Sequence, residues 1–453
     1  MQQGRRTVLG MALLGAFGPL LAAAPQGGGG GPARAGGHAA LDAELAAIAA
    51  DPSCALASLS VLAIRNGQVS YERQFGQRVM GNGAQPGQAA GRDTLYRIAS
   101  VSKMMTTLGL MRLLEEGKLA LDADVSGYLG FPLRNPHFPD RPITLRVLLS
   151  HRSSLRDDGG YSWPLDTALA EVLVPGARLH GKGPMWASNA GPGDYFTYCN
   201  LGWGVIGTIM ERVTGERFDR LMRRLLLAPL GLRGGYNPSD FTPAELASLA
   251  ALYRKRSTDT EVWDAAGPWI AQVDDYGGRA PAAPAGIATY VPGRNATPFS
   301  PTGGLRISAH DLGTVMLMLM NGGMHNGRRI LAESTLAQMF ARQWTWDGVG
   351  GNGDSLGGLF NSWGLGNAQF PDPPPGPLKT PLVEASGFNA VGHLGDAYGL
   401  RSVFAADLAR RNGIVVLVGG TSTDPLANKG SYSALARFEE RIITALYRGA
   451  IAQ

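Results

Sequence analysis

The clearest helical pattern of the chain lies in residues 94–118, where a polar start is followed by apolar residues at helical spacing. The pattern predicts a helix with one buried side, formed by Met104, Met105, Leu108, Met111, Leu113 and Leu114. Gly117 stands where a helix commonly ends in the left-handed conformation. We therefore predict a helix that begins near Ser100 and ends before Gly117.

Strand patterns lie towards the two ends of the chain. Residues 56–76 contain two strand-like runs on either side of Asn66-Gly67, which is typical of a β-hairpin. Residues 301–323 predict a short strand and a helix, and residues 392–421 predict two strands joined at residues 411–413. Further helices are expected from His38 and from about Tyr432.

This order of elements predicts the fold class and the domain arrangement. Strands near both ends with helices between them indicate an α/β (α+β) fold, in which the terminal parts of the chain assemble one sheet. We assign residues 41–453 to one domain, with an α/β part at about 41–99 and 295–453. Residues 100–294 form its helical part, where little strand character is expected. The glycine- and proline-rich residues 344–390 are expected to line or cover a cleft.

The first 40 residues predict export. Arg5-Arg6 precedes an apolar run from Val8 to Ala24, so residues 1–24 resemble a twin-arginine signal peptide. That run is too short and too rich in glycine for a transmembrane helix, and no stable membrane span is expected in the mature chain. Residues 25–40 are rich in glycine and predict a flexible linker. We therefore expect a periplasmic or secreted protein that is exported by the twin-arginine route.

Composition excludes several classes of partner. Of the 453 residues, 44% are hydrophobic, which is enough for a large core. The formal net charge of +5 falls to +3 (5 − 2) when Arg5 and Arg6 leave with the signal, so nucleic acid is not an expected partner. The two cysteines, Cys54 and Cys199, do not make a disulfide framework, and two buried thiols are expected unless they pair. No cofactor or metal is predicted, and a monomer is expected.

The first candidate catalytic residues lie at the start of the helix predicted from Ser100. Ser100 and Lys103 lie at positions i and i+3, so they share a face of the helix. At a helix N-terminus the backbone N–H of a serine has no intrahelical partner and can bind an oxyanion. A desolvated lysine has a lowered pKa and can take the proton of the serine. The alternative is that Ser100 only caps the helix.

Two more short motifs carry polar groups suited to a cleft. Tyr198-x-Asn200 follows a Pro-Gly turn and precedes a helix, and His393-x-Gly395 precedes a predicted strand, where glycine would let a substrate approach. The alternatives are an ordinary interface tyrosine, an asparagine that caps a helix, and a surface histidine. By contrast, Ser355 lies in a Gly-x-Ser-x-Gly match within a loop, which does not fit a nucleophile elbow.

Ser-x-x-Lys, Tyr-x-Asn and His-x-Gly, in this order, resemble the motifs of the serine β-lactamase and penicillin-binding-protein superfamily. The flanking sequences resemble its class C β-lactamase-related branch, over about residues 50–445. The resemblance implies an antiparallel sheet flanked by helices, an all-helical part, and an active site between them. It also implies a serine hydrolase that works through an acyl-enzyme.

The resemblance implies a role for each matching residue. Ser100 would be the nucleophile, and Lys103 and Tyr198 would share proton transfer, with the identity of the base left open. Asn200, His393 and Gly395 would bind or orient the substrate, and Asn200 would also orient Lys103. The backbone N–H groups of Ser100 and Asp396 would form the oxyanion hole.

The chain departs from the family pattern at two places. His393-Leu394-Gly395 replaces the common Lys-Thr-Gly, and with Asp396 beside it we expect a less positive, even negative, edge of the cleft. The replacement of the lysine favours an esterase- or peptidase-like enzyme that hydrolyses an ester, an amide or a D-amino-acid peptide. A β-lactamase or D,D-carboxypeptidase is the alternative, and a non-catalytic cell-wall-binding protein is the third. In the second departure, Ser154 stands where glycine is common.

Overall fold

The computed structural model describes residues 38–452, apart from residues 82, 84–85, 259, 373–380 and 385–386. The predicted signal at residues 1–24 lies outside the described residues, as do residues 25–37 of the predicted linker. Helix α1 (Ala39–Ala49) includes residues 39 and 40, which the sequence analysis assigned to the linker. Residues 38–453 group into one unit by their mutual contacts.

Helices occupy mainly the middle of the chain. After α1 they are α2 (Val101–Glu115), α3 (Ser126–Leu129), α4 (Leu145–Leu149), α5 (Ala170–Leu173), α6 (Leu201–Thr214), α7 (Phe218–Met222), α8 (Pro243–Ala247), α9 (Ala309–Met320), α10 (Glu333–Phe340) and α11 (Arg437–Leu446). Single π-helical turns, at Arg223–Leu227 and Tyr447–Ile451, continue α7 and α11.

Strands lie mainly before α2 and after α9. They are β1 (Ser58–Arg65), β2 (Gln68–Val79), β3 (Gln88–Ala89), β4 (Tyr96–Arg97), β5 (Leu252–Lys255), β6 (Trp269–Val273), β7 (Arg306–Ile307), β8 (Met324–His325), β9 (Arg328–Arg329), β10 (Trp344–Thr345), β11 (Ser362–Trp363), β12 (Ala368–Phe370), β13 (Ala390–Ala397), β14 (Leu400–Asp407), β15 (Asn412–Val418) and β16 (Gly420–Thr421).

Nine strands form one antiparallel sheet in the order β10-β11-β12-β13-β14-β15-β1-β2-β3. β15 pairs with β1, so that Val418 lies opposite Leu59, and the sheet is assembled from both ends of the chain as expected. β1 and β2 turn at Asn66 and Gly67, whose φ angles of 51° and 76° are left-handed. This confirms the predicted hairpin.

The central strands are buried on both faces. In β1, Leu59 and Val61 face one core, which includes residues of α1 and α11. Leu62 and Ile64 face the other core, which includes residues of α2 and α9. This division follows from the alternation of side chains along a strand. The sheet therefore lies between two helical layers, and α2 lies in the second one.

Helix α2 differs from its prediction in one respect. Twelve of its fifteen residues are buried, so it has no exposed side of the predicted kind. The reason is that α2 contacts β13 and β14 of the sheet and also α6 and α10. Gly117 follows the helix with a φ of 70°, which confirms the predicted end.

The last part of the sheet also corrects the sequence prediction. Residues 390–418 form three strands, β13, β14 and β15, instead of two. His393-x-Gly395 therefore lies inside β13 and not ahead of a strand. Gly392 and Gly395 weaken the strand pattern in the sequence, whereas pairing with β12 and β14 on its two sides stabilises the strand.

Two further regions contain strands that the sequence did not indicate. β5 and β6 lie in the predicted helical part, where β5 also pairs in parallel with β16 from the end of the chain. β10, β11 and β12 lie in the glycine- and proline-rich residues 344–390 and extend the main sheet. These short strands depend on pairing with distant segments, which local patterns do not reveal.

Candidate active site

Ser100 lies at the first turn of α2, between the sheet and the helical region. The preceding Ala99 has a φ of 46°, a conformation that is costly for a residue with a Cβ atom and that often occurs at functional sites. The Ser100 side chain does not cap the helix. Its Oγ instead accepts a hydrogen bond of 2.9 Å from Lys103 Nζ. The geometry therefore does not support a capping role for this serine.

Lys103 is completely buried, and its amine has three hydrogen-bond acceptors around it. Besides Ser100 Oγ, Nζ donates to Asn200 Oδ1 at 2.8 Å and to the Thr302 carbonyl oxygen at 3.1 Å. An ammonium group has three hydrogens, so these acceptors use all of them. In the neutral amine, the two fixed acceptors hold the two remaining hydrogens, and the lone pair is directed at Ser100.

Burial lowers the pKa of Lys103 from 10.5 to about 7, against the opposing effect of the Asp157 carboxylate. A lysine with this pKa is neutral in a large fraction of molecules near neutral pH. The structure therefore provides a proton acceptor 2.9 Å from the hydroxyl of Ser100.

Tyr198 packs between two rings beside Lys103. The His151 ring stacks on it at 4.4 Å, and the Phe360 ring lies at 5.4 Å from it. Lys103 Nζ lies 4.8 Å from the centre of the Tyr198 ring. Burial raises the pKa of Tyr198 above its usual value, although a hydrogen bond to Ser100 acts in the opposite direction. Tyr198 is therefore a neutral phenol, able to donate a proton near Ser100.

The amide of Asn200 is oriented by Asp157, a residue that the sequence analysis missed. Asp157 Oδ2 accepts from Asn200 Nδ2 at 2.9 Å and from the Asn200 backbone N–H at 2.8 Å. Its Oδ1 accepts from the Leu201 N–H at 2.9 Å, so Asp157 caps α6 in place of Asn200. Asn200 Oδ1 is thereby free to accept from Lys103 and from Thr302 Oγ1. Asp157 follows no motif in the sequence, because its partners lie more than 40 residues away.

His393 and Gly395 lie next to each other on β13 but differ in exposure. His393 is completely buried and does not line the pocket, so its side chain does not face a substrate as expected. Its Nδ1 lies 2.6 Å from the Leu394 carbonyl oxygen, and burial together with Lys103 lowers the pKa of His393 to about 3. A neutral imidazole thus occupies the position of the family lysine.

Gly395 lines the pocket, and close packing gives a reason for a glycine besides the predicted one. A Cβ atom here would lie 2.7 Å from the Ile98 carbonyl oxygen and 2.2 Å from Ser402 Oγ. Glycine therefore lets β13 approach the backbone that precedes Ser100, while the approach of a substrate at Gly395 stays a prediction.

The charge predicted for this edge of the cleft is also corrected. Asp396 forms an ion pair with Arg401 at 3.1 Å, so its carboxylate does not make the edge negative. Arg97 lines the same pocket and forms no ion pair with any described residue. The neighbouring Arg306 is paired with Asp274, whose carboxylate also attracts Arg97 without forming an ion pair with it.

These residues border one pocket of about 920 Å³. Of the predicted site residues, those that line it are Ser100, Tyr198, Asn200, Gly395 and Asp396. Lys103 and His393 do not line the pocket but contact residues that do. Lys103 hydrogen-bonds to Ser100, and the ring centres of His393 and Tyr198 are 6.3 Å apart. The glycine- and proline-rich segment contributes Leu356, Gly357, Leu359 and Phe360, which confirms that it lines the cleft.

Other sequence features have structural roles. Ser355 is buried in a loop, where its Oγ accepts from the Gly358 N–H at 3.2 Å, and neither a strand nor a helix adjoins it. Ser154 has a φ of 66°, the conformation that explains the glycine of the related sequences. Cys54 and Cys199 are both free and buried.

Two features are absent from the described residues, namely a cluster that could hold a metal ion and a helix that could cross a membrane. No group of three or more His, Cys, Asp or Glu residues in residues 38–452, with the gaps noted above, could hold a metal ion. Within the same ranges, no helix has both the length and the apolar character that a membrane crossing requires.

Comparison with known proteins places these features in a family. A family model described as Beta-lactamase matches residues 40–437. D-alanyl-D-alanine-carboxypeptidase/endopeptidase AmpH from Escherichia coli is 28% identical over 187 residues, which are 39% of this chain and 45% of AmpH. Esterase EstB from Burkholderia gladioli is 30% identical over 207 residues, which are 42% of this chain and 48% of EstB. The aligned parts thus span less than half of these relatives.

A solved structure extends the similarity to the whole fold. The D-amino acid amidase from Ochrobactrum anthropi, complexed with L-phenylalanine amide, matches with a TM-score of 0.61 and 19% identity. The match covers 90% of this chain and 97% of the amidase. At this identity it shows the fold alone, and it confirms the expected antiparallel sheet flanked by helices.

Proposed function

Because this chain belongs to the beta-lactamase family, we propose that it is a serine hydrolase that cleaves an ester, an amide or a D-amino-acid peptide bond. The observation that carries the proposal is the 2.9 Å hydrogen bond between Lys103 Nζ and Ser100 Oγ, at a helix N-terminus that borders a large pocket. The reaction proceeds through an acyl-enzyme on Ser100.

Lys103 acts as the general base in this proposal. Asn200 Oδ1 and the Thr302 carbonyl oxygen hold two hydrogens of the amine, and its lone pair accepts the proton of Ser100 as Oγ attacks the substrate carbonyl. Burial raises the pKa of Tyr198, so its hydroxyl is protonated when the substrate binds. Tyr198 then donates this proton to the leaving group. Lys103 then restores the proton to Tyr198 through a water molecule, since Ser100 Oγ is acylated at this stage.

The developing oxyanion is stabilised by backbone N–H groups. No described residue accepts a hydrogen bond from the Ser100 N–H, which lies at the positive end of α2. The N–H of Asp396, on the strand that borders the same pocket, is the second proposed donor. Water then hydrolyses the acyl-enzyme: Lys103 accepts a proton from the water and returns it to Ser100 Oγ as the acyl group leaves.

A second candidate activity, that of a β-lactamase or D,D-carboxypeptidase, is favoured by Arg97. Arg97 lines the pocket without a direct ion-pair partner among the described residues, so its guanidinium can attract the carboxylate that such substrates carry. Comparing kcat/KM for the cephalosporin nitrocefin and for p-nitrophenyl acetate decides between the two candidates. A higher value for nitrocefin assigns the enzyme to the second candidate.

Ser100 is tested by covalent labelling with a fluorophosphonate, followed by intact-mass analysis. We expect one label on the native protein, none on Ser100→Ala, and one on Ser355→Ala, which is the matched control. Labelling that persists in Ser100→Ala and is lost in Ser355→Ala would reverse the assignment. A native protein that takes neither a fluorophosphonate nor a penicillin would support the non-catalytic, cell-wall-binding alternative.

The proposal also includes export. The Arg5-Arg6 pair and the apolar run after it support a twin-arginine signal in residues 1–24, and a periplasmic or secreted enzyme. The expected monomer remains part of this proposal.

A further inference from the structure

Exposed apolar side chains are concentrated at the mouth of the Ser100 pocket. Among the described residues, eight large hydrophobic side chains are exposed. Four of them line this pocket, namely Tyr161, Leu356, Tyr398 and Leu426, which are between 40% and 65% exposed. We call these four residues the apolar rim. Isolated exposed apolar residues are normal on a protein, but a group around one pocket marks a binding surface.

Two members of the rim are held in a conformation that their side chains disfavour. Leu356 has a φ of 52° and Tyr398 a φ of 58°. Tyr398 and Gly399, with a φ of 86°, form the two-residue turn between β13 and β14, where asparagine and glycine are the favoured pair. Local backbone preference therefore does not explain a leucine and a tyrosine at these positions, and their side chains are the remaining reason.

The Tyr398 ring also contacts the side chain of Arg97. The Arg97 guanidinium carbon lies 4.9 Å from the centre of this ring, and Arg97 Nε donates to the Gly303 carbonyl oxygen at 3.2 Å. A guanidinium group held against a ring face fixes the position of that ring. Tyr398 therefore lines the pocket with its ring in contact with Arg97.

The same pocket is lined by four further large apolar side chains, which add apolar surface to that of the rim: Leu359, Phe360, Leu394 and Leu435. Its volume of about 920 Å³ is far larger than a small acyl group needs. A substrate with only a small acyl and a small leaving group would leave this surface in contact with water.

We infer that the apolar rim binds a large alkyl or aryl group of the substrate while Ser100 attacks the carbonyl carbon. This inference rests on the proposed function and adds the substrate class, namely acyl compounds with an extended apolar group. Each methylene group that leaves water on binding strengthens binding by up to about fourfold. The preference should therefore rise with chain length until the rim is covered.

The test uses two series of esters with the purified protein. One series is p-nitrophenyl esters from acetate to octanoate, and the other is alkyl acetates from methyl to octyl, all below their aggregation concentrations. We expect kcat/KM to increase at least tenfold along one of the series. No increase along either series overturns the inference, while turnover of p-nitrophenyl acetate by itself still supports the proposed hydrolase.

Variants of the rim separate binding from folding. Tyr398→Asn places the favoured Asn-Gly pair in the turn, and Leu356→Asn also suits its left-handed backbone, so neither change should destabilise the fold. Leu426→Ser removes the most exposed member of the rim. We expect the triple variant to lose at least tenfold of the preference for the long chain, measured as the ratio of kcat/KM for the long-chain ester to kcat/KM for the acetate.

The matched control is Val291→Ser, since Val291 is 61% exposed and Leu426 is 65% exposed, but Val291 does not line the pocket. We expect it to retain the native preference. A triple variant with an unchanged preference overturns the inference. So does a control that loses as much of the preference as the triple variant.

Discussion

At the scale of single residues, the chemistry of the site depends on one buried amine. Lys103 has no carboxylate as a direct partner, and three neutral acceptors surround its Nζ. Neutral acceptors compensate a buried charge less well than a carboxylate does, so the neutral form is favoured and the pKa falls to about 7. A buried lysine of this kind lowers the stability of the fold, so its presence is explained by its reactivity and not by its packing.

We predict that kcat/KM for a neutral ester increases with pH and reaches half of its maximum near pH 7. The reason is that only the neutral amine accepts the proton of Ser100, and Lys103 loses its own proton at about pH 7. His393 cannot produce this rise, because its pKa is lowered to about 3. The measurement is a pH–rate profile from pH 5 to 9 with p-nitrophenyl acetate, corrected for spontaneous hydrolysis.

The contrary result is a profile that is flat from pH 5 to 9, or one that falls as the pH rises. Either would show that Lys103 remains charged during catalysis and that another group is the base. A control profile with Tyr198→Phe should be lower in rate and should keep the same midpoint.

At the scale of elements, α6 is fixed at its start by a carboxylate from another segment. Asp157 accepts from the N–H groups of Asn200 and Leu201 and also holds the Asn200 side chain. One side chain thus stabilises a helix N-terminus and directs an acceptor at Lys103. The stability of α6 and the orientation of the amine are coupled through this residue.

We predict that Asp157→Ala lowers the free energy of unfolding by about 1–2 kcal/mol, as expected for loss of a helix cap. It should also lower kcat/KM at least tenfold, because the Asn200 amide loses its anchor. The measurements are chemical denaturation and ester hydrolysis. The matched control is Thr242→Ala, which removes the capping box of α8 away from the pocket. It should lose similar stability and keep its activity, and equal loss of activity in both variants would contradict the prediction.

A second coupling between elements lies where β13 meets the segment before α2. We predict that Gly395→Ala lowers stability by about 1–3 kcal/mol and slows fluorophosphonate labelling of Ser100. The added Cβ would meet the Ile98 carbonyl oxygen at 2.7 Å, so the strand and the nucleophile segment must separate. Labelling kinetics and thermal unfolding measure the two effects.

The control for this change is Gly127→Ala in α3, where a Cβ would meet no atom within 4 Å. This variant should be as stable as the native protein or slightly more stable, because alanine favours a helix over glycine. If Gly395→Ala labels at the native rate and unfolds at the native temperature, the close approach has no functional consequence.

At the scale of the whole molecule, the pocket is built from segments that are far apart in the chain. Its walls come from the start of α2, from the segment before α6, from the glycine- and proline-rich residues, from the turn after β13 and from the loop before α11. Because β1 pairs with β15, the main sheet is complete only when both ends of the chain are present. Export of such a chain in a folded state is consistent with the twin-arginine signal proposed for residues 1–24.

We predict that replacing both Arg5 and Arg6 by lysine leaves the precursor in the cytoplasm. The twin-arginine route depends on this pair, and the weakly apolar run after it suits that route. Fractionation of cells that express the full chain, followed by immunoblotting, measures the result. A control with lysine at Arg34 alone, outside the signal, should be exported normally. Normal export of the double variant would indicate the general secretory route.

The sequence alone determined the features that depend on near neighbours in the chain. The i, i+3 spacing of Ser100 and Lys103 places both on one face of a helix, and Asn66-Gly67 requires the left-handed turn that closes the first hairpin. The order of the three motifs indicated the family, and through it the fold. These conclusions hold because helix and turn geometry is set by residues a few positions apart.

Only the tertiary structure decided how each side chain of the site is surrounded. Burial of His393, pairing of Asp396 with Arg401, and the anchoring of Asn200 by Asp157 all changed or extended the sequence interpretation. The carbonyl of Thr302 reaches Lys103 across 199 positions of the chain, and the apolar rim comes from four separate segments. Burial, charge compensation and pKa depend on what packs around a group, and that packing is set by strand pairing between the two ends of the chain.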